Sequence, residues 1–171
     1  NHTAITPIDN FSGHIDGNGK TLSNMTVNGS GIFESISGGS VKNMTLANVN
    51  VTGSERGHAG GFAGVISGGN IENVVLTSGT VTGGNGANGV GGFVGYLAEG
   101  ASIKNSFSSL TVSRGQNVGG FIGLTTGGKV ENSFANGQVQ KTENSNSGGF
   151  YGSLFVGSPA PTFTDCAYDM R

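Results

Sequence analysis

Charge is scarce in this chain: Asp, Glu, Lys and Arg make up 11% of its 171 residues, less than half the roughly 25% of an ordinary soluble domain. Tryptophan is absent, proline occurs 3 times and cysteine once. A lone cysteine, Cys166, excludes an intrachain disulfide framework. So little proline excludes collagen, which also needs glycine at every third position. A net charge of -2 argues against a nucleic-acid partner, because phosphates select basic patches. No apolar run approaches the ~18 residues of a membrane span, so helical membrane insertion is not expected. A charged disordered polymer is excluded as well, since 34% of the residues are hydrophobic. The chain opens at Asn1 with neither an initiator Met nor a leader pattern. The expectation is one domain, residues 1–171, cut from a longer protein.

What the chain has instead is glycine. Its 34 glycines are about three times the usual share of roughly 7%. They are periodic. Gly61-Phe62-Ala63-Gly64, Gly92-Phe93-Val94-Gly95, Gly120-Phe121-Ile122-Gly123 and Gly149-Phe150-Tyr151-Gly152 repeat one tetrapeptide, each preceded by a further glycine. Gly31-Ile32-Phe33 is a degenerate copy, and Phe11-Ser12-Gly13 reads as an earlier one. A second landmark follows each Phe: Val41-Lys42-Asn43, Ile71-Glu72-Asn73, Ile103-Lys104-Asn105 and Val130-Glu131-Asn132, with Leu22-Ser23-Asn24 as the first copy and Phe163-Thr164-Asp165 as the last. A third short β-branched segment follows, as in Asn50-Val51-Thr52 and Thr80-Val81-Thr82. No helical apolar periodicity occurs.

Repeats of about thirty residues, each too short to bury its own apolar side chains, must cover one another. The pattern predicts an all-β parallel β-helix, a solenoid of about five to six coils with three short strands per coil. The first coil is expected over 1–30, four motif-bearing coils over 31–148 and an atypical last coil over 149–171. Val41, Ile71, Ile103, Val130 and Phe163 should stack inward, as should Phe33, Phe62, Phe93, Phe121 and Phe150. The glycines around each Phe are read as corners with positive φ or close backbone approach. Asn24, Asn43, Asn73, Asn105 and Asn132 form an expected, largely interior amide ladder that satisfies turn backbone. Beside them Lys42, Glu72, Lys104 and Glu131 alternate in sign from coil to coil, which favours correct register.

These repeats resemble the GLUG motif, a bacterial extracellular repeat named for a Gly-Leu-hydrophobic-Gly core, with Phe62, Phe93, Phe121 and Phe150 in place of Leu. Gly69-Asn70-Ile71-Glu72-Asn73 and Gly128-Lys129-Val130-Glu131-Asn132 match the companion signature. The opening stretch from Phe11 to Leu22 resembles the first coil of right-handed parallel β-helix proteins. The resemblance implies a segment of a secreted or cell-surface bacterial protein, either a haemagglutinin-like adhesin or the non-catalytic region of an immunoglobulin A1-cleaving zinc metallopeptidase.

The residues themselves supply no catalytic constellation. Zinc peptidase chemistry needs His-Glu-x-x-His, and none of His2, His14 and His58 is followed by Glu. Asp16 lies in an Asp-Gly-Asn-Gly stretch read as a turn. The expectation is a non-enzyme without metal or cofactor, monomeric in isolation. Variation concentrates between the third segment and the next Gly-Gly-Phe, and solenoid loops at one repeat position often form the binding face. Arg56, His58, Asn85, Asn88, Arg114, Asn117, Lys141 and Asn144 are the candidate binding residues there, for a host cell-surface protein or glycan. A further alternative, ice binding, rests on the outward hydroxyl and amide residues of the third segment, such as Thr80 and Thr82.

Overall fold

Short extended segments separated by left-handed residues and glycines can only stack. In the computed structural model, which describes residues 3–169, every element is a β-strand and every strand pair is parallel. The chain winds into a β-solenoid of about five turns. The coil that starts at Val94 has five short strands: Val94–Leu97, Ala101–Lys104, Phe107–Ser108, Thr111–Ser113 and Asn117–Gly119. The sequence pattern predicts three. Two expected strands are each split, one by the left-handed asparagine after Lys104 and one by the Gly-Gly-Phe corner. In earlier coils some of these faces run together, as in Ser40–Thr52.

Register follows the sequence repeat. On the first face Ile15, Val41, Ile71, Ile103, Val130 and Phe163 stand directly above one another. Leu46 over Leu76, Val81 over Val112, and Ile66 over Leu97 fill the second, third and fifth faces from inside. All of these from Val41 to Val130 are buried. The phenylalanines form a continuous column through Phe11, Phe33, Phe62, Phe93, Phe121 and Phe150, with centroid spacings of 5.2, 5.1, 5.1, 4.6 and 4.9 Å. Phe163 closes it edge-on at 5.5 Å from Phe150. Each such pair contributes about 0.5–1.5 kcal/mol beyond the area it buries.

The glycines of the Gly-Phe-x-Gly corners act through space rather than through φ. None of Gly61, Gly92, Gly95 or Gly123 has positive φ. A Cβ on Gly95 would lie 2.5 Å from the Ala59 nitrogen and 2.8 Å from the Gly64 oxygen. The absence of side chains there lets the backbones of the fourth and fifth faces pack directly on one another.

The left-handed positions belong to asparagine. Asn43, Asn73, Asn105 and Asn132 have φ of 57°, 53°, 49° and 46°, a conformation that short amide side chains tolerate. Asn43 is half-buried and the other three are exposed, so the ladder is external and not interior. The left-handed turn breaks the two-residue alternation and swings the side chain outward. Asn73 donates to Asn43 Oδ1 at 2.9 Å, and Asn132 to Asn105 Oδ1 at 3.2 Å.

Asn24 does not join this column. It pairs with Asn48, whose amide donates to Asn24 Oδ1 at 2.8 Å, in a second column one corner further on. The place expected for Asn24 is taken by Asp16, which accepts from Asn43 Nδ2 at 3.0 Å and from the Asn18 N–H at 2.9 Å. Asp16 also heads the charge ladder: it is in register with Lys42, then Glu72, Lys104 and Glu131. Lys42 reaches Asp16 at 3.5 Å and Lys104 reaches Glu131 at 2.8 Å. Both pairs are solvent-exposed and screened, so the ladder's weight lies in register.

Candidate loop-face binding site

Between the third and fourth faces each coil carries a loop, at 53–57, 83–88, 114–116 and 141–145. Strand stacking places these loops in one column. Three of them, over 84–86, 114–116 and 142–144, enclose an open cavity of about 430 Å³. Asn85, Arg114, Gln116, Glu143 and Asn144 line it. Arg56 borders it from below, because a Cβ on Gly86 would meet Arg56 Cγ at 3.5 Å. Arg56, Asn85, Arg114, Lys141 and Asn144 are all exposed.

The loop apices are left-handed. Gly86 and Asn144, with φ of 69° and 63°, suit that conformation; Arg56 and Arg114, at 56° and 60°, do not. A side chain with an ordinary Cβ costs about 1–2 kcal/mol in this region. Both arginines therefore occupy positions where glycine or asparagine would be more stable. Their guanidinium groups make no ion pair among the described residues, which leaves two planar donors free for a ligand.

The remaining candidates are turned into the scaffold. Asn117 is only 7% exposed; its amide donates to the Asn88 carbonyl at 2.8 Å and its Oδ1 accepts from Asn146 at 2.9 Å. Asn88 and Asn117 are thus rungs of an amide ladder, and Asn146, which is not among the residues expected from sequence, completes it. His58 stacks on Tyr96 with ring centroids 4.9 Å apart, and its Nδ1 is buried without a partner. Burial pushes the imidazole pKa below its ordinary 6.5, so the ring is neutral near pH 7. Lys141 lies outside the cavity lining.

Elsewhere the arrangement is structural. Cys166 follows the pattern of Ser133, each placing a side-chain donor on the carbonyl two residues back, at 3.3 and 2.8 Å. Burial raises the thiol pKa, which disfavours the reactive thiolate. Among the described residues no three His, Cys, Asp or Glu side chains gather to hold a metal. No helix among them is long and apolar enough to cross a membrane. The third face sets Asn50, Thr80 and Thr111 in one outward column and Thr52, Thr82, Ser113 and Gln140 in another.

Two stretches, residues 86–113 and 114–140, match the family model described as the GLUG motif. These two stretches are GLUG repeats. Each matched GLUG repeat begins at or beside a loop apex, Gly86 or Arg114, and runs once around the coil. A segment of 72 residues, 40% of this chain, is 40% identical to a protein of Evansella cellulosilytica named as a candidate Gly-rich membrane protein. That segment spans 8% of the longer protein. The fold of the solenoid is similar to the crystal structure of a protein from Bacteroides ovatus named as a candidate immunoglobulin A1 protease, with a TM-score of 0.63 and 19% identity. The likeness covers 98% of this chain and 58% of the solved one; at that identity it is a likeness of fold.

Proposed function

We propose that this GLUG solenoid is a non-catalytic binding module of a bacterial surface or secreted protein, and that its loop column engages a host glycan or glycoprotein. The observation that carries this reading is the pair Arg56 and Arg114. Both hold left-handed φ at the cost of backbone strain; Arg114 lines the cavity, Arg56 packs its Cγ against the Gly86 wall, and neither guanidinium is ion-paired among the described residues. Strain of this kind persists where a ligand clamp requires it. The rest of the coil supplies a rigid, weakly charged rod.

A second reading is supported by the fold likeness to the Bacteroides ovatus protein: the solenoid is a spacer or substrate-positioning region of an immunoglobulin A1-type metallopeptidase. Screening the immobilised chain against host glycans and host-surface glycoproteins separates the two. Saturable binding to a discrete set supports the module. Absence of binding to every member of the panel, immunoglobulin A1 included, would sink it and favour the spacer.

A further inference from the structure

A second concavity of about 530 Å³ lies along the corner between the fifth and first faces. In successive coils this corner is linked by residues 37–39, 67–68, 98–100 and 126–128, but in the last by the seven residues 155–161. That longer link contains Pro159 and Pro161, and Pro159 and Ala160 form one wall of the concavity. Proline fixes φ and limits the freedom of the link. A groove therefore exists here because one coil carries an insertion that its neighbours lack.

Its floor is in register. Asn70, Ser102, Lys129 and Thr162 stand in one outward column, spaced by the rung distance of about 4.8 Å. Glu99 contributes from the 98–100 link, and the ion-paired Lys104 and Glu131 border the column. Among the described residues the side chains of Asn70, Glu99 and Lys129 have no internal hydrogen bond or ion pair. They are exposed polar groups aimed along one trough.

We propose that this groove binds a neutral linear polysaccharide laid along the solenoid axis, with successive hexose units against successive coils. Two carboxylates and two ammonium groups cancel, so neither a polyanion nor a polycation is selected. The lining offers no deep apolar pocket, which a peptide partner needs for its anchor side chains. Sugar hydroxyls both donate and accept, and they match free carboxylates, amides and ammonium groups through charge-assisted hydrogen bonds. The rise of an extended hexose chain is close to the rung spacing of about 4.8 Å, so successive units meet successive rungs at Asn70, Ser102, Lys129 and Thr162. Without an aromatic platform the affinity is modest, with Kd on the order of 0.1–1 mM. The groove shares no residue with the loop column, so either site can fail without the other.

The test is an amide-shift titration of the isotope-labelled chain with β-linked gluco- and manno-oligosaccharides of several units, and with galacturonate oligomers as the anionic counterpart. The proposal expects saturable shifts at Ser102, Lys104, Lys129 and Thr162 with a neutral oligomer. Glu99→Gln and Lys129→Ala should each weaken that binding about tenfold, equivalent to 1.4 kcal/mol, while Arg114→Ala leaves it unchanged. Replacing 155–161 by the shorter 126–128 link should abolish it. The proposal is overturned by an absence of saturable shifts at these residues with every neutral oligomer. It is equally overturned by tighter binding of the galacturonate at this groove, or by unchanged affinity in Glu99→Gln and Lys129→Ala variants with native circular dichroism.

Discussion

Asn73 donates its side-chain amide to Asn43 Oδ1 across 2.9 Å, and both residues hold left-handed backbone, φ 53° and 57°. One residue type thus serves two ends, turning the corner and tying one coil to the next. The two contributions separate by substitution. Asn73→Gly keeps the corner and loses the rung, an expected cost of about 1 kcal/mol. Asn73→Ala also forces a Cβ into left-handed φ and should cost about 1–2 kcal/mol more. Urea unfolding of the three proteins measures the order; equal stability of the Gly and Ala variants would remove the backbone half of the explanation.

The phenylalanine column predicts a larger effect. Phe93 is fully buried and lies 5.1 Å from Phe62 and 4.6 Å from Phe121. Phe93→Ala should cost about 3–5 kcal/mol, and Phe93→Leu, the residue of the GLUG consensus, much less. Thermal unfolding distinguishes them.

Direct packing of the fourth face on the fifth makes Gly95 intolerant of a side chain, since a Cβ there meets the Ala59 nitrogen at 2.5 Å. Gly95→Ala is expected to destabilise by about 3 kcal/mol. The same change at Gly19, where nothing lies within 4 Å but φ is +70°, should cost only the backbone strain of about 1–2 kcal/mol. A larger loss at Gly19 than at Gly95 would contradict the packing account.

His58 gives the stability a pH dependence of known sign. Burial depresses its folded pKa below 6.5, so the unfolded chain binds the proton more readily. Its contribution is complete above about pH 6.5 and is lost as pH falls from there through the folded value. Asp16 acts in a more acidic window. The Asn18 N–H lowers its pKa most, followed by the Asn43 amide, with Lys42 adding to them. Its contribution is present above the ordinary 3.8 and is lost as pH falls through the depressed value. Denaturant midpoints of the wild type and His58→Phe, which keeps the stack on Tyr96, should converge at neutral pH and separate below it. Parallel pH profiles would refute the assignment to His58.

The solenoid was legible because its thirty-residue period and Gly-Gly-Phe corners mark each coil, and because Val41, Ile71, Ile103 and Val130 recur at fixed distance. The asparagine column was legible in membership from Asn43 onward but not in direction. Strand alternation puts Asn43 on the same side as Val41, and only the left-handed φ turns it outward. Asn24 was misplaced because the first coil is irregular. Asp16 pairs with Lys42 and Lys20 with Met44, so three residues lie opposite one and counting along the chain slips. The loop column follows from the repeat, whereas the burial of Asn117 does not, because it depends on how its amide meets Asn88 and Asn146 of the neighbouring coils. The groove walled by 155–161 carries no periodic signal at all, since an insertion in one coil has no counterpart to compare.

The proposed function makes Arg56 and Arg114 the residues that engage a glycan or glycoprotein at the loop column. Binding of the strongest ligand from the glycan and glycoprotein panel by the Arg56→Ala/Arg114→Ala double variant tests it most directly. The expected affinity loss is about a hundredfold, about 2.7 kcal/mol, with the thermal midpoint unchanged because alanine keeps a Cβ in the left-handed region. Wild-type affinity in the double variant would contradict it.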